Sequence, residues 1–357
     1  MEKTDQTPDK KMRTPLLLLN ATLLAIGVCG GLMVMRLYFL HGGRRVWLPS
    51  WLETGGWPVN FIPLLITYLG RRRREGPAAM LFLMKGPVFI PAAIIGVLTG
   101  LDDYLYAYGV ARLPVSTVSL ITATKLVFNA VFAFFLVKQK FTPYSINALA
   151  LLTVGSGVLA LHTSSDRPKG ESKKEYYVGF FMMTASMVLY GLILPLVELT
   201  YKKARAARQA VNYTLVLEIQ LVMCFFATLF CTIGMVINKD FQAIPKEVRD
   251  FKLGKATYYV VLVCSGIIWQ LFFLGSIGVV FSHSSLLAAI IPVVLLPVTE
   301  ILAVIFYKEK FTPEKGVSLV LSLWGFASYF YGELKHSNDE SETQVPETEL
   351  PQSISTP

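Results

Sequence analysis

Apolar stretches of about membrane-crossing length alternate with short polar turns along almost the whole chain. Ten such stretches lie at roughly 16–39, 51–69, 87–108, 114–137, 143–162, 177–200, 211–237, 256–279, 283–306 and 313–332. A helix needs about 20 mainly apolar residues to cross the hydrocarbon core, so the pattern predicts ten transmembrane helices and an all-α integral membrane protein. The first fourteen residues are polar, and the tail 335–357 is acidic and rich in Ser, Thr and Pro, a composition that favours disorder.

The pattern also repeats. Val137-Lys138-Gln139-Lys140-Phe141-Thr142-Pro143 returns 170 residues later as Tyr307-Lys308-Glu309-Lys310-Phe311-Thr312-Pro313. Upstream, Gly109…Ser116 matches Gly278…Ser285 with an offset of 169. The repeat divides the chain into a first five-helix half at 15–162, a connecting loop at 163–176 and a second half at 177–334. An odd number of crossings per half turns the second upside down, giving two inverted five-helix halves. Such architectures hold their substrate near the midplane between the halves. Thr142 and Thr312, each before Pro, read as helix caps with a structural role.

Composition agrees with lipid as the solvent. Of 357 residues, 54% are hydrophobic and 16% charged, against about a quarter charged in soluble domains. The net charge of +9 does not form a nucleic-acid surface, because Lys and Arg flank the apolar runs. Cys29, Cys224, Cys231 and Cys264 lie inside apolar runs without a CxxC pair, and the four histidines are scattered, so neither a disulfide frame nor a metal site is predicted. No cofactor motif, GxSxG or HExxH occurs, which argues against an enzyme. The apolar run Pro15 to Leu40 is too long for a signal peptide and reads as a retained helix.

Both termini share a side. Counting Lys and Arg on either side gives 16 against 15, close to a tie. The dense clusters Lys10–Arg13, Arg71–Arg74 and Lys202–Arg208 favour cytosolic termini. That orientation leaves the sequon Asn212-Tyr213-Thr214 unused.

Several segments carry a resemblance. Cys29-Gly30-Gly31 before Arg36-Leu37-Tyr38-Phe39, Glu53-Thr54-Gly55-Gly56-Trp57-Pro58, Asp102 to Gly109, Leu113 to Thr117, Leu194 to Leu199, Ile268-Trp269-Gln270 and Leu323 to Phe326 resemble the plant purine permease family of the drug/metabolite transporter superfamily. The resemblance runs from about residue 15 to 335. It implies proton-coupled uptake of adenine, cytokinins and related nitrogen heterocycles, with alkaloids or vitamin B6-like compounds in some branches, and a plasma-membrane location. Val28 and Leu32 replace an Asn and a Pro usual in the family, Lys125 a Gln, and His283 a small residue. The lost amides lean towards a modified substrate range, since amides both donate to and accept from a purine edge.

The candidate chemistry lies in polar groups within spans. Thr122, Lys125 and Asn129 recur at helical spacing as a polar stripe, with Lys125 about midway along the fourth span. A buried charge there should face protein or water, as substrate contact or proton carrier. A charged Lys125 would favour neutral or anionic heterocycles over cationic alkaloids. Asp102 and Asp103 end the third span among Tyr104, Tyr106 and Tyr108, and Asp102 shares a face with Tyr106. Asp103 is a candidate for proton coupling and Tyr104 for substrate contact. Trp269 offers a stacking face and Gln270 an edge reader in the eighth span. Glu198, Glu218 and Glu300 are further intramembrane acids. Glu300, which follows Pro297 and falls near Asn129 in the repeat alignment, is the expected acid partner of the stripe; Glu198 is a second coupling candidate. Asn20, Asn60, Tyr190 and Gln220 are weaker candidates, with Tyr190 counted among substrate contacts. Pro58, Pro63, Pro292 and Pro297 interrupt helices.

The expected function is thus proton-coupled import of nitrogen heterocycles by alternating access. The expected partners are a small heterocycle, protons and the bilayer, with no nucleic acid. The alternative is a nucleotide-sugar or other metabolite exchanger of the same superfamily in an internal membrane. That function calls for a denser basic cavity than one lysine provides.

Overall fold

The computed structural model describes residues 10–43, 45–113, 121–122, 124–161, 173–307 and 313–343. The regular elements among them are all helical. In chain order they are α1 (Lys10–Leu40), α2 (Trp47–Gly55), α3 (Phe61–Glu75), α4 (Gly86–Arg112), α5 (Lys125–Val137), α6 (Pro143–Leu161), α7 (Lys173–Ala206), α8 (Tyr213–Ile237), α9 (Asp240–Asp250), α10 (Lys255–Ser282), α11 (Ser285–Tyr307) and α12 (Pro313–Thr343). Six of them, α1, α4, α7, α8, α10 and α11, are long and apolar enough to cross a membrane. Isoleucine, valine and phenylalanine side chains such as Ile66, Phe135, Ile233, Val263 and Phe306 point outward, while Asn20, Asp102, Gln220 and Gln270 are buried. A lipid solvent demands this inversion, because a polar group in hydrocarbon goes unsatisfied.

Helix pairs form the frame: α1 lies along α10, α4 between α7 and α8, α5 on α7, and α6 on α12. Small residues permit the close approach of α1 and α10. A Cβ on Gly27 would run into the Phe272 backbone, and one on Gly275 into the backbone of Leu24. Van der Waals contact between backbones is the main glue available in lipid.

The predicted second span is not one helix. It breaks between α2 and α3 at a 3₁₀ turn, Trp57–Asn60, with Pro58 in its first positions. Pro63 falls in the first turn of α3, where a proline costs no hydrogen bond. Gly56 fits the break against α10, since a Cβ there would collide with the Gly266 carbonyl. Three other departures concern polar segments. The stretch 238–255, expected as loop, contains the amphipathic helix α9. It is held by an Arg45–Asp240 ion pair at 3.1 Å and by Tyr38 and Tyr258 hydroxyls donating to Glu247 at 2.7 and 3.1 Å. Helix α1 starts at Lys10 within the polar N-terminal segment, and α12 continues past residue 335 to Thr343. The start of the fourth span before Ile121, the connecting loop up to residue 172, the turn 308–312 and the tail beyond 343 lie outside the described residues.

Thr142 caps α6 as expected, its hydroxyl accepting from the Ser145 amide at 3.1 Å; Thr312 lies outside the described residues. Asn212 of the sequon caps α8, its side-chain oxygen accepting from the Leu215 amide at 3.0 Å. Cys264 is exposed on α10, whereas Cys224 and Cys231 are buried as expected.

Candidate functional site

The helices line a central cavity with about 140 Å³ of room for the centres of water-sized molecules. Its apolar lining includes Val28, Leu32, Met223, Phe273, Pro292 and Leu296. The polar lining is concentrated in Glu53 of α2, Thr99, Asp102, Asp103 and Tyr106 of α4, Thr122 and Lys125 at the start of α5, Ser186 and Tyr190 of α7, and Trp269 and Ser276 of α10. Pockets of this make-up, mainly apolar with a few convergent polar groups, are typical small-molecule sites.

The charged groups divide into two sets. Asp102 accepts a 2.7 Å hydrogen bond from the Ser186 hydroxyl and feels the charge of Lys125. The Lys125 ammonium also stands 5.0 Å from the Tyr190 ring centroid, within cation–π range. Asp103, about 100° further round α4, faces α2 instead. Its backbone carbonyl accepts from the Ser50 hydroxyl of α2 at 3.2 Å, which sets its carboxyl beside Glu53, one turn further along α2. Both are buried, and Glu53 Oε1 and Asp103 Oδ2 have no hydrogen-bond partner. The cavity wall therefore carries three carboxyls against one ammonium.

Trp269 forms part of the wall through a motif on α1. A Cβ on Gly31 would stand 3.1 Å from the indole, and one on Gly30 the same distance from Ile268. The two glycines thus seat the Ile268-Trp269 ridge. The indole edge meets Phe272 at 5.2 Å, and Trp269 Nε1 has no hydrogen-bond acceptor. The hydroxyls of Thr122 and Ser276 are likewise without partners.

Beyond the cavity lining, where α7 ends and α8 begins, lies a packed plug. Tyr213 donates to Asn20 Oδ1 at 2.8 Å, and Tyr201 and Tyr213 pack edge-on against Phe281. Glu198 accepts from the Ser285 amide at 2.8 Å, at the start of α11, and pairs with Lys202 at 3.1 Å. Lys202 donates onward to the Val137 carbonyl at 2.7 Å, at the end of α5. Glu198 thereby links α7 to α11, and Lys202 links α7 to α5.

A family described as purine nucleobase transmembrane transport matches residues 15–339. Purine permease 3 of Arabidopsis thaliana is 56% identical over 336 residues, covering 94% of this chain and 95% of the relative. Purine permease 2 of the same plant is 52% identical over 355 residues, covering 96% and 98%. The chain belongs to the plant purine permease family. A protein of known crystal structure shares the fold with a TM-score of 0.60 at 14% identity, over 88% of this chain and 96% of its own.

Of the candidates this purine permease offered in its sequence, Thr122, Lys125, Asp103, Trp269 and Tyr190 line the cavity together. The others lie elsewhere. Asn129 is buried beneath the stripe, donating to the Gly191 carbonyl at 3.3 Å. Gln270 sits behind the wall at a polar junction, accepting from Asn60 at 2.8 Å and Gln220 at 3.2 Å and donating to the Thr54 carbonyl at 3.1 Å. Tyr104 turns away and stacks on Trp47 with ring centroids 3.9 Å apart. Glu198 belongs to the plug. Glu300 lies on α11, and its side chain is outside the described residues. Glu218 pins the segment before α4, accepting from the Leu83 and Met84 amides at 2.8 and 2.6 Å. Sequence reasoning missed Glu53 and Ser186 as site residues. Glu53 carried a signal, as an acid at the start of an apolar span; Ser186 carried none. Among the described residues no cluster is suited to hold a metal.

Proposed function

We propose that this protein is a proton-coupled importer of purine nucleobases and related nitrogen heterocycles, including cytokinin- and alkaloid-like compounds, working by alternating access at the plasma membrane. The carrying observation is the central cavity, where acidic acceptors, an ammonium and an indole N–H converge within a family whose business is purine nucleobase transport. A neutral purine presents adjacent donors and acceptors on its edge. Carboxyls can receive its N–H groups, while Trp269 and the Thr122 and Ser276 hydroxyls can donate to its ring nitrogens. Substrate contact thus rests on Thr122, Lys125, Tyr190 and Trp269, and coupling on the acids facing the same space.

Ten crossings in two inverted halves suit this reading. Val137, before the first repeated turn, meets Lys202 on the side of the termini, whereas Tyr307, before the second, donates to the Met33 carbonyl near the other end of α1 at 2.7 Å. Both termini would be cytosolic, so the plug around Glu198 and Asn20 would be the inner gate, here closed. A nucleotide-sugar exchanger fits less well, because three carboxyls and one lysine would repel a diphosphate.

The test is uptake of labelled adenine in yeast lacking its own purine carrier, at acidic and neutral external pH, with cytokinin, pyridoxine and alkaloid competitors. Saturable uptake that rises in acid and collapses with a protonophore is expected. No adenine uptake from surface-expressed protein would refute the nucleobase reading.

A further inference from the structure

We infer that Glu53 and Asp103 work as one carboxyl pair sharing a proton, and that this pair, rather than any single acid, is the seat of the coupled proton. The inference rests on the importer reading for its direction of transport, but its geometry stands alone. The two side chains come from different helices, α2 and α4, and are only 6% and 5% exposed. The Ser50 hydroxyl, one turn before Glu53 on α2, donates to the Asp103 carbonyl at 3.2 Å, so the two carboxyls meet where α2 crosses α4. Glu53 Oε1 and Asp103 Oδ2 are buried and receive no hydrogen bond, while both residues line the cavity. Ionised carboxylates only accept hydrogen bonds, and no donor reaches either oxygen, so a proton held between the two acids relieves both.

The surroundings separate this pair from Asp102. Asp102 has a serine donor and the Lys125 charge to stabilise an anion. Around the pair stand Asp102 and Tyr106 on α4, Lys125 on α5, Tyr190 on α7, Cys224 and Cys231 on α8, and Trp269 on α10. Lys125 is the sole cation among these groups and is already engaged with Asp102 and Tyr190. With one shared proton the cavity keeps a single net negative charge. A second proton entering the pair cancels it.

An independent observation points to the ligand that accompanies that proton. Trp269, only 8% exposed and outside the acidic cluster, lines the same cavity and carries a buried indole N–H with no acceptor. An acceptor pair and a stranded donor within one apolar cavity suit a flat heterocycle carrying both a ring nitrogen and an N–H. The proton enters the pair with the cavity open to the outside. It leaves to the cytosol after the plug opens, and the pair returns to its singly protonated form.

Two readouts test this on the full-length protein in liposomes. The first is infrared spectroscopy without substrate. A carbonyl band of a protonated, buried carboxylic acid is expected at neutral pH, and it should vanish in both Glu53→Gln and Asp103→Asn. A wild-type spectrum without that band, or one that survives both substitutions, overturns the pair, and the wild-type measurement needs no variant to fold. The second compares gradient-driven accumulation of adenine with its equilibrium exchange. One pH unit supports about tenfold accumulation per coupled proton. Each variant should lose that factor, so that its ratio of accumulation to exchange falls to that of a passive carrier. Full accumulation by either folded variant overturns the assignment. Absence of adenine transport by wild type, with the band present and lost in both variants, would uphold the pair and sink the nucleobase reading.

Discussion

Replacing Glu198 should loosen the closed end of the cavity by a calculable amount. Its carboxylate accepts from the first amide of α11 at 2.8 Å, where helix start and anion attract each other. Hydrogen bonds to a charged group contribute about 1.5–3 kcal/mol net. Glu198→Ala removes that bond, so the equilibrium between closed and open plug should shift towards opening by about 10- to 100-fold, at 1.4 kcal/mol per factor of ten. Glu198→Gln keeps an acceptor of the same shape and loses only the charge, for a shift of about fivefold, or roughly 1 kcal/mol. Lys202 adds little to either figure. It is 47% exposed, so water screens its pairing, and it keeps the Val137 carbonyl at 2.7 Å.

The assay is labelling of Ser276→Cys, on the cavity wall, by a membrane-impermeant thiol reagent. Vesicles should have their terminal tags facing the bath, and the same protein without the new cysteine supplies the background. Labelling rates should rise in the order parent, Gln, Ala. Equal rates in all three would mean that the Glu198–Ser285 bond does not hold the plug shut, and the gate would have to be sought in Asn20, Tyr213 and Phe281. A rise in Gln as large as in Ala would show that charge, not the hydrogen bond, sets the barrier.

Three further outcomes are expected. Gln270→Leu strands the Asn60 amide and removes the side-chain donor to the Thr54 carbonyl, while Gln220 keeps the residue 270 backbone carbonyl at 3.0 Å, and should cost about 2–4 kcal/mol of stability; a detergent-solubilised protein melting at the parent temperature would contradict the junction. Trp269→Phe keeps an aromatic ring but loses the N–H, and should raise the KM for adenine about three- to tenfold; an unchanged KM would mean that the indole donor meets no substrate. Lys125→Gln should change the competitor ranking towards cationic heterocycles more than it changes abundance, and loss of folded protein in step with transport would mark the lysine as structural.

The helices were legible in the sequence because the apolar period and the turn residues act locally. The same holds for the stripe of Thr122 and Lys125, where a charge deep in an apolar run announces an interior face; Asp102 and Asp103 read as the end of their span, whereas α4 runs on to Arg112 and carries both inside. Facing direction was less legible. Tyr104 and Tyr106 are two residues apart on α4, and only the packing of Trp47 against one of them decides which looks into the cavity. Gln270 and Trp269 are neighbours on α10, yet one lines the cavity and the other serves a junction behind it. Glu53 carried only a weak signal because it stands near the start of its span, where an acid normally meets water. The charge expectation changes too. Lys125 alone suggested a cavity hostile to cations, whereas Glu53, Asp102 and Asp103 outnumber it.

The broken second span joins these facts. A continuous helix from Trp47 to Glu75 would satisfy its own carbonyls and leave Gln270 without a task. The break at Gly56 and Pro58 frees the Thr54 carbonyl, and Gln270 answers it from α10 while Asn60, just past the break, returns a bond to Gln270. That junction fixes the end of α2, and with it Glu53, which stands one residue before Thr54 on the same short helix. The Ser50 hydroxyl ties the other end of α2 to the Asp103 carbonyl at 3.2 Å. The geometry that brings two acids together is therefore built from backbone left unpaired by the break. A substitution that mends the helix without adding a side chain at the crowded Gly56, Pro58→Ala, should separate Glu53 from Asp103 even though both acids remain. Loss of the shared-proton infrared band in that variant, with both acids intact, would show that the pair depends on the break. Retention of the band in a folded variant would show that α2 holds its place without it.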